Sequence, residues 1–224
     1  MNLVIVAHPD DEILGFGATG AKLVLQGEVV QPIILCGAVD VRGSRPTDQQ
    51  LLDDIAAANN EVGFQSPVLG NFPNLRMNSV DHVDVVQFIE QKIEMFKPKR
   101  IFTHFPGDLN DDHFHVSKAC QAAVRLFQRR SDIPPIESFY FMEILSSTDW
   151  AFNTTSQGFN PTNFVEINEF LEEKIKALRH YRNVIRDFPH PRSIEALTGL
   201  AAYRGGQSGL NYAESFQLVF KQGV

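Results

Sequence analysis

The sequence predicts an α/β fold, an open and mostly parallel sheet flanked by helices. Three observations carry this expectation. Short β-branched runs without polar alternation recur in the first half of the chain, as in strands buried on both faces of a parallel sheet. Stretches with apolar residues at helical spacing lie between them. The alternation of strand and helix repeats several times before residue 130, which is the pattern of right-handed crossover units.

The first run, NLVIVA over 2–7, reads as a buried strand, and a helix over 11–26 follows with Ile13, Leu14, Ala21, Leu23 and Leu25 among its apolar positions. EVVQPIILC over 28–36 is the next strand; Pro32, which donates no ladder hydrogen bond, implies a bulge or a sheet edge there. Leu51, Leu52, Ile55, Ala56 and Ala58 mark a helix over 47–62, with Thr47 as its cap. Val83, Val86, Phe88, Ile89 and Ile93 mark another over 81–96. RIFTH over 100–104 is a strand, and after a loop a helix runs from about 115 to 128. Beyond Pro134 and Pro135 come strands at 138–144 and 163–167, helices at 169–186 and 193–203, and a last strand at 215–220. No repeat or flexible linker interrupts the chain. A single domain over 1–224 is therefore expected, with a core over 1–130 and a C-terminal α+β elaboration over 131–224 packed on the same sheet.

Composition bounds the function. The 224 residues are 43% hydrophobic and 21% charged, enough for one sizeable core. Lys+Arg 20 against Asp+Glu 27 leaves a formal charge of -7, a field that repels nucleic acid while permitting a local basic pocket. No apolar run approaches the roughly 20 residues that span a bilayer, and Met1 to Ala7 is too short for a signal-peptide core. A soluble, cytoplasmic protein without membrane insertion is expected, in which the Asn153-Thr154-Thr155 acceptor pattern has no chemical meaning. Cys36 and Cys120 read as buried reduced thiols.

Ligands of open α/β sheets bind beyond the carboxyl ends of the strands, and two loops there are chemically dense: AHPDDE over 7–12 and FPGDLNDDHFH over 105–115. An imidazole and three consecutive carboxylates in one turn repel one another unless something positive is bound. Helix capping accounts for one or two of these carboxylates, but not for the histidine at the strand end. A catalytic zinc site takes three ligands from His, Asp or Glu and keeps a position open. His8 and Asp11, three apart in a tight turn, can converge on one ion, and His113 is the choice for the third ligand. His115 is expected to point elsewhere. His104 either lines the pocket or sits satisfied in the core. Asp10 then lies beside the attacking water, where a general base belongs, and Glu12 braces the loop. Hydrolysis of an amide or ester is the natural reaction class.

Gly15-Phe16-Gly17-Ala18-Thr19-Gly20 matches the dinucleotide fingerprint, with Asp40 where a ribose-binding acid belongs. However, the strand-to-helix turn that should hold those glycines is occupied by His8 to Glu12, whose charge opposes a pyrophosphate. The glycines are better read as permitting close helix-to-sheet packing.

The AHPDDE motif after an amino-terminal strand, with Asp112-His113 and Val116 about a hundred residues later, resembles the PIG-L/LmbE family of zinc-dependent N-deacetylases. The likeness extends more loosely to His190-Pro191-Arg192-Ser193, Tyr203-Arg204-Gly205 and Ala213-Glu214-Ser215-Phe216. It implies a Rossmann-like fold and removal of an acetyl group from an N-acetylglucosamine-type amine on a larger carrier. By position, His8, Asp11 and His113 match the metal ligands and Asp10 the general base. Where several members carry an oxyanion-stabilising histidine, this chain has Asn110, which can donate a hydrogen bond but cannot act as an acid.

The resulting expectation is a hydrolase with one divalent cation per chain, zinc or alternatively iron, acting on an N-acetylated amino sugar or its conjugate. Asp10 or His190 protonates the departing amine. Arg42, Arg45, Arg192 and Arg204, with His104, are the candidates to hold the substrate, guanidinium groups being suited to a phosphate or carboxylate on the carrier. Trp150 either stacks on a sugar face or is a packed aromatic. A homo-oligomer is compatible with the sequence. The alternatives are an NAD-linked oxidoreductase, supported only by the glycine pattern, and a non-catalytic metal- or sugar-binding protein, which has no need of the free carboxylate of Asp10.

Overall fold

The computed structural model of the protein describes residues 1–38, 46–152 and 158–223. Arg42, Arg45, Asp40 and the 153–155 acceptor pattern lie outside them. Strand β1 (Asn2–Val6) is buried along its whole length. It lies between β2 (Val30–Ile34) and β4 (Arg100–His104), parallel to both. A two-residue strand, β3 (Val68–Leu69), continues the sheet beyond β2, and β5 (Ser138–Met142) pairs parallel with β4. Strand β7 (Ala213–Lys221) adds antiparallel to β5, and β6 (Asn163–Glu166) closes that side antiparallel to β7. The order is β3-β2-β1-β4-β5-β7-β6, an α/β sheet that is parallel over five strands and antiparallel over two, as expected for the fold class.

Six helices flank the sheet: α1 (Asp11–Leu25), α2 (Asp48–Glu61), α3 (His82–Phe96), α4 (Asp111–Ala123), α5 (Leu171–His180) and α6 (Ile194–Ser208). Leu3 and Ile5 pack with Ile89, Ile93, Val116 and Ala119 on one face, while Val4 and Val6 pack with Ile13, Phe16, Ile55 and Leu178 on the other. Burial on both faces explains why the β1 sequence shows no alternation. The chain leaves β1 toward β2 on one side and later returns to place β4 on the other. The carboxyl ends of β1 and β4 therefore flank the point where the strand order reverses, which is where such sheets open a crevice.

Several boundaries differ from the sequence expectation for local reasons. Pro32 produces neither bulge nor edge: it pairs opposite Val4 inside the sheet. Ile34 O accepts from Gly70 N–H on the β3 side, so Pro32, two residues away, faces that side too, where β3 pairs only with Ile33 and Ile34. The missing donor costs no ladder bond. Helix α4 starts at Asp111 instead of about 115, because the Asn110 side chain caps it by accepting from Asp112 N–H at 3.0 Å. Helix α5 stops at His180, not 186, and the chain crosses to α6 through an irregular segment containing Pro189 and Pro191. The Thr47 cap is found as expected, in a reciprocal box with Gln50.

The fingerprint glycines lie in the interior of α1, not at its entry. A Cβ on Gly15 would stand 2.7 Å from Met142 Sδ and from Ile144 Cδ1, and one on Gly20 would stand 2.2 Å from Phe64 Cζ. These glycines let α1 seat closely against its neighbours. Among the described residues, no helix is long and apolar enough to cross a membrane. Cys36 and Cys120 are buried thiols. Gly20→Val should destabilise the fold by about 1–3 kcal/mol of overpacking, lowering Tm by roughly 2–8 °C in a chain this long; an unchanged thermal midpoint by calorimetry would contradict the packing role.

Candidate metal centre

The turn from β1 into α1 is built so that side chains, not the helix end, claim the space above the sheet. Asp10 stands at the helix N-cap with φ 102 and no side-chain cap bond, a conformation costing on the order of 1–3 kcal/mol in a non-glycine residue. Its N–H donates to Glu12 Oε2 at 3.1 Å, and Asp11 Oδ2 accepts from His8 N–H at 3.0 Å. The capping that could have absorbed the Asp10 carboxylate is therefore not made, and that carboxylate turns to Arg192 Nη1 at 2.9 Å. Glu12 is fully buried and accepts from Asn59 Nδ2 at 2.9 Å and from the Tyr181 hydroxyl. Burial pushes its carboxyl up to about 7 against the pull of those donors. It braces the loop.

Three electron-pair donors from the two loops meet at the sheet edge. His8 Nδ1 lies 3.3 Å from Asp11 Oδ2, His113 Nε2 lies 3.2 Å from the same oxygen, and the two ring nitrogens are 3.2 Å apart. All three residues are buried. Ligands held about 2.0–2.1 Å from one ion at tetrahedral angles stand roughly 3.3 Å from one another, so the donor set and its spacing fit a divalent cation with a further position open. The far side of each imidazole supports the same reading. His8 Nε2 meets Asp112 Oδ2 at 2.8 Å. His113 Nδ1 lies 3.1 Å from Asp108 Oδ2, an ion-pair contact whose angle falls short of a hydrogen bond. Carboxylates placed there hold the proton on the outer nitrogen and leave the inner lone pair for a metal. Asp112 is itself anchored, accepting from Leu75 N–H at 2.6 Å and Met77 N–H at 3.0 Å. His8, Cys36 and Asp112 also converge, but there Asp112 is already committed to those two amides.

Electrostatics agree. Burial alone would pull the His113 imidazole down, yet the Asp11 and Asp108 carboxylates hold it up to about 10. Burial likewise opposes His8, whose contacts with Asp11 and Asp112 raise it. The Asp11 carboxyl, which burial would raise, is drawn well below its usual range by His113 and His8. The cluster attracts positive charge, whether proton or metal.

The triad opens into a cavity of about 220 Å³ that Asp10, Asn110, His190 and Arg192 also line. Because the Asn110 oxygen is used as the helix cap, its amide NH2 is the end left for a ligand. Arg192 is largely buried, its Nε donating to Leu145 O at 3.1 Å while Nη1 holds Asp10. It orients that carboxylate. His190 Nδ1 accepts from Arg192 N–H at 3.0 Å, and burial together with Arg192 and Arg186 lowers its pKa. An imidazolium would need a proton on that accepting nitrogen, so His190 is a neutral donor through Nε2 and the expectation that it acts as an acid fails.

Two substrate-binding expectations also fail. His104 is fully buried and does not line the cavity; its Nε2 accepts from Ala7 N–H at 2.8 Å and its ring stacks on His113 at 3.8 Å between centroids. Arg204 makes a two-pronged pair with Glu143 at 2.8 and 2.6 Å, away from this cavity. Trp150 is half exposed, packs edge-on against Phe152 and does not line the cavity either. His115 points away from the triad and pairs with Asp111 one turn back at 3.4 Å. Sequence reasoning overlooked Asp108 and Asp112 as orienting partners, although both stand within five residues of His113.

Residues 3–124 match the family described as PIG-L, GlcNAc-PI de-N-acetylase. Among solved structures, the chain is similar to a conserved protein of Thermus thermophilus at 24% identity and TM-score 0.81, covering 99% of this chain and 96% of that one. It is similar to the N,N'-diacetylchitobiose deacetylase of Pyrococcus horikoshii at 18% identity and TM-score 0.79, covering 97% and 83%. It is also similar to the 4-carboxy-2-hydroxymuconate hydratase of Pseudomonas putida at 19% identity and TM-score 0.78, covering 100% and 97%. A deacetylase and a hydratase thus share the fold, which by itself does not choose the reaction.

Asp112→Asn should weaken zinc binding by about 10–100-fold, read by competition with a chromophoric chelator; wild-type affinity would remove Asp112 from the orienting role. Zinc must also displace the proton that Asp11 and Asp108 hold on His113 up to about 10. Affinity should therefore fall as pH falls, with proton release on binding detectable by calorimetry in buffers of different ionisation enthalpy.

Proposed function

The chain belongs to the PIG-L family of GlcNAc-PI de-N-acetylases, and from that premise we propose that it is a hydrolytic N-deacetylase of an N-acetylated amino sugar or its conjugate, working with one divalent cation, zinc in the first instance. The observation that carries the reading is the Asp10 carboxylate, held in a strained turn beside the His8, Asp11 and His113 donors and turned into the same cavity. A site that merely stored a metal has no use for it. The NAD-linked alternative loses its support because the glycines of its fingerprint serve helix packing.

His8, Asp11 and His113 hold the metal, which when bound lowers the pKa of a water and polarises a carbonyl. Asp10 takes a proton from the water that attacks the acetamide carbon. Arg192 keeps the Asp10 carboxylate aimed into the cavity through its 2.9 Å contact. As the carbonyl oxygen gains charge, the Asn110 amide donates to it. Asp10 then returns its proton to the nitrogen as the C–N bond breaks, releasing the free amine and acetate; neutral His190 is not needed as an acid.

Asp10→Asn keeps the size and the metal ligands but removes the base. Turnover in a fluorescent assay for amine released from N-acetyl sugars should fall by about 10²–10⁴-fold with metal content unchanged. Retained activity would take Asp10 out of this role, and a wild-type enzyme that releases no amine from any N-acetyl sugar would overturn the deacetylase reading.

A further inference from the structure

The segment between α5 and α6 brings a concentration of cationic groups to the cavity. Arg182, Arg186, His190 and Arg192 all line it, in a chain whose formal charge is -7. The segment is closed on itself: Arg186 N–H donates to Arg192 O at 3.2 Å, His190 N–H to Asp187 O at 3.1 Å, and Ser193 N–H to His190 O at 2.9 Å. It is a built element, not a stray loop.

Two of the three guanidinium groups already have carboxylate partners. Arg192 is held by Asp10 at 2.9 Å, and Arg182 Nε by Asp54 at 3.2 Å. Arg186 bonds only the Asn183 carbonyl, through Nε at 2.7 Å. Among the described residues it is the one guanidinium lining the cavity without a carboxylate partner. His190 stands beside it electrostatically, and with its Nδ1 taken by Arg192 N–H it presents Nε2–H as a donor. Asp149 reaches His190 and Arg192 electrostatically but does not line this cavity. A forked guanidinium next to a neutral imidazole donor is chemistry for an anion with two or more oxygens.

We propose that Arg186 and His190 form a rim subsite for an oxyanion, a phosphate or a carboxylate, attached to the acetamido sugar of the substrate. The proposal rests on the deacetylase reading for the sugar and adds the charge of what the sugar carries. Size agrees with it. A cavity of about 220 Å³ falls below the roughly 300–1,000 Å³ of drug-sized sites, so the interior takes one sugar and a compact appended group meets the rim instead of further sugar units.

The test compares three N-acetylglucosamine derivatives: the neutral methyl glycoside, the 1-phosphate and the carboxymethyl glycoside. The zinc-loaded wild type is assayed for amine release, and calorimetric binding of each compound is measured alongside. An anionic derivative should show kcat/KM at least tenfold above the methyl glycoside, mainly through KM, with the preference shrinking as salt is added. The two anionic arms tell phosphate from carboxylate. In Arg186→Ala that preference should collapse, and in Arg186→Lys, which keeps charge without the fork, it should be intermediate; His190→Gln provides a second variant if R186A fails to fold by circular dichroism. Equal cleavage and equal binding of all three compounds, or a preference that survives R186A, would overturn the subsite and leave the deacetylase reading standing. Tighter binding of an anionic derivative that is lost in R186A, with no amine released from anything, would uphold the subsite and overturn the deacetylase.

Discussion

Three lone pairs aimed at one point set the terms for the rest of this molecule. His8 Nδ1, Asp11 Oδ2 and His113 Nε2 stand 3.2–3.3 Å apart inside a buried cluster, an arrangement that costs energy unless a proton or a cation lies among them. Everything adjacent keeps those atoms where they are. Asp112 and Asp108 face the outer nitrogens, His104 lies flat against His113, and the amides of Leu75 and Met77 hold Asp112 in turn. Removing any one partner leaves a buried polar atom unsatisfied.

The fold supplies this convergence cheaply. Strands β1 and β4 are neighbours, parallel and in register from Asn2 opposite Arg100, so the loops that leave their carboxyl ends rise side by side. A single reversal of strand order brings His8 next to His113 across 105 residues of chain. The expensive part is the turn. Asp10 adopts a left-handed backbone, and Glu12, Asn59 and Tyr181 form a buried polar brace around it. Local strain of this kind persists where surrounding contacts over-determine it, and here its effect is to face a carboxylate toward the space the triad opens into.

Much of this was legible in the chain because it is local. Buried strands announce themselves by unbroken apolar runs, and His8 and Asp11 lie within one turn, so their convergence follows from spacing. His113 was identifiable from its place at the start of a helix after the fourth strand. What escaped was set by distance. Arg192 meets Asp10 across 182 residues and Tyr181 meets Glu12 across 169, contacts that no periodicity encodes. Strand β3 has two residues, too few for any pattern, and the placement of β7 between β5 and β6 is a matter of tertiary pairing. His104 and Arg204 illustrate the converse error. Each has the right chemistry for a ligand contact, yet burial and a local partner claim the first, and Glu143 claims the second.

The most direct measurement is anomalous X-ray diffraction from crystals grown with zinc, collected on both sides of the metal's absorption edge. One strong peak per chain, within bonding distance of His8 Nδ1, Asp11 and His113 Nε2, is the predicted result. A peak elsewhere, or none at saturating metal with the three side chains turned apart, would contradict the account at its root.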